Sequence, residues 1–153
     1  MTAAVGPYTS SQYVPHSYGS SYGGATRING QMGLVSYDGM RGDAAAAVLA
    51  NLPAGHGELR QNDSPTTAVM LRAAAEHPGE VELGGYLVGP DRLDERVSVE
   101  SMMVYADQDS SPAVAWPRAS VRFGLDADAD PDESHLVENP WRPGEKCWRY
   151  WWD

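Results

Sequence analysis

The clearest periodicity in the chain is an alternation of apolar and polar side chains between residues 81 and 105. Val81, Leu83 and Leu87 alternate with polar or small residues, and a second alternating run begins at Val97, after the charged segment GPDRLDER. A period of two is typical of strands with one buried face. The pattern predicts two strands that form an antiparallel pair joined by the charged turn.

Two alanine-rich segments carry the start and stop signals of helices. In RGDAAAAVLANLPAGHG, Asp43 is placed to cap a helix over residues 44–52, and the proline and glycine that follow end it. In DSPTTAVMLRAAAEHPG, Ser64 or Asp63 is placed to cap a second helix with Pro65 in its first turn. Neither segment has a clean apolar stripe, so this prediction depends on propensity and capping.

The segment SPAVAWPRASVRFGL is predicted to be a helix interrupted by a proline. A proline inside a helix removes a backbone hydrogen bond and costs about 3 kcal/mol. We therefore expect a short helix after Pro112 and a second one that begins at Pro117.

The end of the chain, SHLVENPWRPGEKCWRYWWD, is predicted to be two segments separated by the turn RPGE, the second of them a strand. On a strand, side chains facing one way belong to Trp148, Tyr150 and Trp152, and those facing the other way to Cys147, Arg149 and Trp151. Either these aromatic side chains complete the core, or they form an exposed patch that binds a partner. We expect Trp148 and Trp152 in the core, and Arg149 and Trp151 as partner-binding residues.

Residues 1–37 differ from the rest of the chain, because Arg27 is their single charged group. They are rich in Gly, Ser and Pro, and they carry four tyrosines whose spacing fits neither a helix nor a strand: Tyr8, Tyr13, Tyr18 and Tyr22. This composition predicts a low-complexity, Gly/Ser/Tyr-rich extended N-terminal arm. The arm is either a disordered tail or a segment that lies across a neighbouring subunit, with each tyrosine as a partner-binding anchor.

These elements together predict an α+β fold. Asn29-Gly30 favours a short hairpin at the end of the arm, within residues 1–37. Residues 38–153 are then expected to form a single acidic α+β domain, in which two or three short helices pack against a small antiparallel sheet.

The charge of the chain restricts its partners. Its 21 acidic and 11 basic side chains give a formal net charge of −10. Because such a surface repels phosphate groups, we expect no direct binding to nucleic acid. No apolar run is long enough to span a bilayer and no signal peptide is recognisable, so we expect no membrane contact and a cytoplasmic location.

The acidic segment DADADPDESHLVE resembles a calcium-binding loop only in part. Its aspartates fall at positions 1, 3, 5 and 7 of an EF-hand, but Pro131 stands where that loop needs glycine and Val137 where it needs glutamate. The histidines are scattered without paired spacing, at His16, His56, His77 and His135. We expect a solvated acidic loop and no metal site.

Catalytic and cofactor motifs are also weak. Cys147 is the single cysteine and has no base near it in the sequence, and no glycine-rich segment matches a phosphate-binding loop. We therefore expect no cofactor and assign no catalytic residue.

Three functions are compatible with these features. The first is a non-catalytic protein–protein interaction or assembly protein, such as a structural component of a larger particle, that uses the arm and the aromatic C-terminus. The second is an acidic inhibitor that mimics nucleic acid in a basic groove, with its carboxylates on one face: Asp91, Asp94, Glu95, Asp107, Asp109 and residues 126–133. The third is a small enzyme with dispersed catalytic residues.

Overall fold

A computed structural model of the chain describes residues 34–88, 96–126, 128–139 and 142–153. The elements follow one another as β1 (Leu34–Met40), α1 (Gly42–Ala50), a single 3₁₀ turn (His56–Glu58), α2 (Thr67–Glu76), β2 (Val81–Val88), β3 (Arg96–Val104), α3 (Pro112–Arg122), β4 (Glu133–Glu138) and β5 (Lys146–Trp151). The α+β fold with a small antiparallel sheet and short helices is confirmed.

The five strands form one antiparallel sheet in the order β1-β2-β3-β5-β4. The predicted pairing of the strands around residues 81–105 is confirmed, since β2 pairs with β3 over their full length. The predicted final strand is also confirmed as β5, which lies between β3 and β4 and not at an edge of the sheet. The last strand of the chain is therefore held on both sides.

The register divides the sheet into two faces. One row across it consists of Val81, Val104, Trp148 and Leu136, and the neighbouring row of Glu82, Met103, Arg149 and His135. The first row belongs to the face on which the helices pack, and its first three residues are buried. The second row is polar except for the buried Met103, and its polar members account for the alternation around Glu82 in the sequence.

The two N-terminal helices are present, but their predicted caps are wrong. Gly42 has a φ of 54°, so the chain turns directly from β1 into α1 and Asp43 already lies in the first turn. Ser64 is buried and belongs to the preceding turn, where its Oγ accepts a hydrogen bond from the Gln61 N–H and donates one to the Pro65 carbonyl. The second helix consequently begins at Thr67.

The third helix is continuous, so the predicted break at Pro117 is wrong. Pro117 is exposed and has no N–H group to donate to the Ala113 carbonyl. That carbonyl lies in the exposed first turn of the helix, where water can bind it instead. Trp116 holds the middle of the helix on the sheet, with ring centroids 4.8 Å from Tyr150 and 5.5 Å from Trp152. This packing offsets the local cost of the proline.

Several predictions fall outside the described residues. These are the arm with its four tyrosines, the hairpin at Asn29-Gly30 and the charged turn between β2 and β3. Within the described residues, β1 begins at Leu34 and includes residues on both sides of the predicted domain boundary at residue 38. No helix in the described part of the chain is both long and apolar enough to cross a membrane.

Candidate interaction surfaces

The apolar side of β5 is part of the core. Trp148 is 3% exposed, and Tyr150 and Trp152 are fully buried. The indole N–H groups of both tryptophans donate hydrogen bonds to backbone carbonyls, that of Trp148 to Asp107 at 2.9 Å and that of Trp152 to Asp130 at 3.0 Å. The placement of Trp148 and Trp152 in the core is confirmed.

The other side of β5 carries Arg149 and Trp151, and both are half-buried. In the register of the sheet, Arg149 is opposite His135 and Trp151 is opposite Glu133, two exposed residues of the edge strand β4. The structure thus brings the two predicted C-terminal anchors to one face, next to an exposed edge. Their role in binding a partner remains a prediction.

Cys147 lies on that side too, but it is buried and does not face solvent. Its Sγ is 3.7 Å from the Sδ of Met103, and burial raises the pKa of the thiol to about 11. Since the thiolate is the reactive form, a thiol that stays protonated at neutral pH is a poor nucleophile.

A buried polar cluster centred on Glu82 was missed by the sequence analysis. The Glu82 side chain is 3% exposed, and its carboxylate accepts hydrogen bonds from Arg41 at 2.6 Å, Arg142 at 3.3 Å and Asn139 at 3.2 Å. Asn139 also donates to the Tyr105 hydroxyl, and the Arg142 guanidinium lies 3.6 Å from the centroid of the Tyr105 ring. Burial, followed by the Glu82 charge, raises the pKa of Tyr105.

This Glu82 cluster binds its own members and leaves little room for a ligand. The adjacent cavity of about 10 Å³, between Asp38, Gly84 and Asn139, is the size of one water molecule. A Cβ atom on Gly84 would lie 2.5 Å from the Asp38 carboxylate, so glycine permits the close approach of β1 and β2. The cluster is suited to fixing the C-terminal hairpin to β2.

The acidic segment after α3 is bound to the domain by its own hydrogen bonds. Asp126 accepts a hydrogen bond of 2.7 Å from the Thr66 N–H, and the guanidinium of Arg60 lies 3.7 Å from Asp126 and from Asp128. The Trp116 indole N–H donates to the Ala129 carbonyl at 2.6 Å. Within the described ranges, no three His, Cys, Asp or Glu side chains are grouped so that they could hold a metal ion.

We predict that this segment does not bind calcium. Replacing Asp128 and Asp130 with asparagine should change the free energy of unfolding in calcium by no more than about 0.5 kcal/mol, because both are exposed and neither closes a bidentate loop. Urea denaturation with and without calcium measures this. Micromolar calcium binding by the native chain in titration calorimetry would contradict the prediction.

The acidic residues expected to imitate nucleic acid are partly neutralised. Asp126 and Asp128 are close to Arg60, and Asp107 forms an ion pair of 3.3 Å with Arg118. Asp91, Asp94 and Glu95 lie outside the described residues. Three of the described carboxylates in this set therefore lie beside an arginine.

The outer side of α3 is apolar and exposed. Val121 is 85% exposed and Val114, two turns earlier, is 39% exposed. Arg118 and Arg122 flank Val121, and with Pro117 they line a shallow concavity of about 420 Å³. Arg118 is paired with Asp107 and Arg122 with Glu80.

The chain matches no protein-family model, no curated protein and no solved structure.

Proposed function

We propose that this chain is a non-catalytic assembly protein whose partner is a second copy of itself. The observation that carries the proposal is the division of β5 between two surfaces. Trp148, Tyr150 and Trp152 complete the core, whereas Arg149 and Trp151 remain partly accessible on the opposite face. Tryptophan and arginine are the side chains most enriched among the strongest contacts of protein interfaces.

The segment proposed to bind this face is the N-terminal arm of the second copy. The whole chain has a net charge of −10, so two domains repel each other at long range, but the arm contains no acidic residue. Its four tyrosines can stack on the indole of Trp151 and on the guanidinium of Arg149. The 33 residues before Leu34 extend to at most about 110 Å, which is enough to reach a neighbouring copy.

We predict that removing the arm abolishes self-association without unfolding the domain. Light scattering over a concentration series should show association of the full chain and a monomer after deletion of residues 2–24. The thermal midpoint of the deleted chain should stay nearly unchanged, because the composition of the arm cannot bury enough apolar surface to stabilise the domain. Trp151→Ala should weaken association in the same assay.

Two tyrosine variants provide the matched control. Replacing Tyr8, Tyr13, Tyr18 and Tyr22 with serine should abolish association, whereas replacing all four with phenylalanine should retain most of it, since the rings supply the contact area. A full chain that is monomeric at every concentration would refute the proposal. Association that survives the deletion would also refute it. A fall of about 10 °C in the thermal midpoint of the deleted chain would refute it as well, because the arm would then be part of its own domain.

A further inference from the structure

We propose that two described surfaces complement each other between copies: the outer side of α3 in one copy binds the edge strand β4 of the next. This inference rests on the proposed self-assembly and adds a second contact that does not involve the arm. It follows from the placement of apolar and charged side chains on the two elements.

The α3 surface has an apolar centre and a basic margin. Val121, at 85% exposure, is the most exposed of the large apolar side chains in the described part of the chain. The side chains of Arg118 and Arg122 are 61% and 51% exposed, so their ion pairs with Asp107 and Glu80 are surface pairs that contribute little to stability. An incoming carboxylate can therefore approach these arginines at small cost.

The β4 surface has an apolar centre and one carboxylate at its margin, Glu138, which lies opposite Lys146 of β5 and accepts a hydrogen bond of 3.1 Å from the Gly144 N–H. Leu136 is 41% exposed, and Glu138 is exposed on the same side of the strand, roughly 7 Å away. On α3, Val121 and Arg118 are one turn apart, at a separation of about 5 to 6 Å. Leu136 of one copy can therefore contact Val121 of the next while Glu138 pairs with Arg118, since the two pairs of residues have similar spacings.

Charge favours this unlike pairing over symmetric packing of α3 on α3. If α3 packed on α3, Arg118 and Arg122 would meet the same two arginines. Contacts between unlike surfaces let each copy bind two others, which gives a ring if the rotation between copies closes and an open filament if it does not.

The first test uses neutral substitutions at exposed positions. In the full chain, Val121→Ser and Leu136→Ser should each weaken self-association at least about tenfold by light scattering, while the thermal midpoint stays within about 2 °C of native. Leu59→Ser is the matched control, because Leu59 is 43% exposed and lies outside both surfaces. The inference is wrong if the control weakens association as much as the two variants do, or if they associate like the native chain.

The second test exchanges charges between the surfaces. Arg118→Glu and Glu138→Arg should each weaken association alone, and an equimolar mixture of the two variants should associate more strongly than either, because one new contact again joins opposite charges. A mixture that associates no better than its components would overturn the inference.

The outcomes separate this contact from the arm. If deleting residues 2–24 abolishes association but the serine variants have no effect, the α3–β4 contact is refuted and the proposed function stands. If the serine variants and the charge exchange behave as expected in a chain that lacks the arm, the α3–β4 contact stands and the role of the arm is refuted. A native chain that remains monomeric refutes both.

Discussion

Trp152→Ala is expected to lower the free energy of unfolding by about 3 to 5 kcal/mol, which is comparable to the whole stability of a small domain. The indole is fully buried, packs edge-on against Trp116 and donates a hydrogen bond to the Asp130 carbonyl. Alanine would leave a cavity and remove the donor of that carbonyl. Urea denaturation followed by circular dichroism measures the change.

Trp151→Ala is the matched control for this prediction. Trp151 is the neighbouring residue on the same strand but is only half-buried on the opposite face, so we expect a loss well below that of Trp152→Ala. Truncation before Cys147 should leave the chain unfolded, because it removes β5 from between β3 and β4. Equal losses for the two tryptophans, or a folded truncated chain, would contradict the assignment of this strand to the core.

The sequence predicted those elements whose signals are local. The alternation that begins at Val81 specified β2 and β3, because the two strands are adjacent in the sequence and in the sheet. The alternation of side chains along a strand also predicted that Trp148 and Trp152 face the core and that Trp151 lies on the opposite side. The position of β5 inside the sheet was not predictable in this way, since its pairing with β3 joins Val104 to Trp148 across more than 40 residues.

Local rules failed where a tertiary contact determines the conformation. Pro117 predicted a break in α3, but the packing of Trp116 on Tyr150 and Trp152 keeps the helix continuous. Ser64 satisfied the rule for a helix cap, but its hydroxyl is used within the preceding turn.

The candidate surfaces were only partly predictable. The position of Arg149 and Trp151 on the face opposite the core was predicted by the alternation of side chains along a strand. The exposure of Val121 did not, because α3 carries apolar residues both on the buried side, at Trp116, and on the exposed side, at Val114, so periodicity does not identify the side that faces solvent. The Glu82 cluster had no local signal, since its members come from distant segments.

The second large effect is expected at the Glu82 cluster. Glu82→Ala should lower the free energy of unfolding by about 3 kcal/mol, because each of the three donors that bind its buried carboxylate loses one acceptor. The fully buried Asn139 amide would keep the Tyr105 hydroxyl but lose its carboxylate acceptor, and Arg142 would keep Glu145 and the Gly79 carbonyl. Urea denaturation again provides the measurement.

Two variants distinguish the loss of the carboxylate from a general loss of packing. Glu82→Gln keeps the size of the side chain and one acceptor oxygen, so its loss should be smaller than that of Glu82→Ala. Arg41→Ala should cost least, because the Arg41 side chain is 48% exposed and its removal leaves Glu82 with Arg142 and Asn139. If Arg41→Ala were as damaging as Glu82→Ala, the stabilisation would come from the junction of β1 and α1.

We instead expect the cluster to act by fixing the turn between β4 and β5, because Arg142 in that turn also donates to the Gly79 carbonyl. Fixing this turn also fixes β4, the edge strand proposed to bind the next copy.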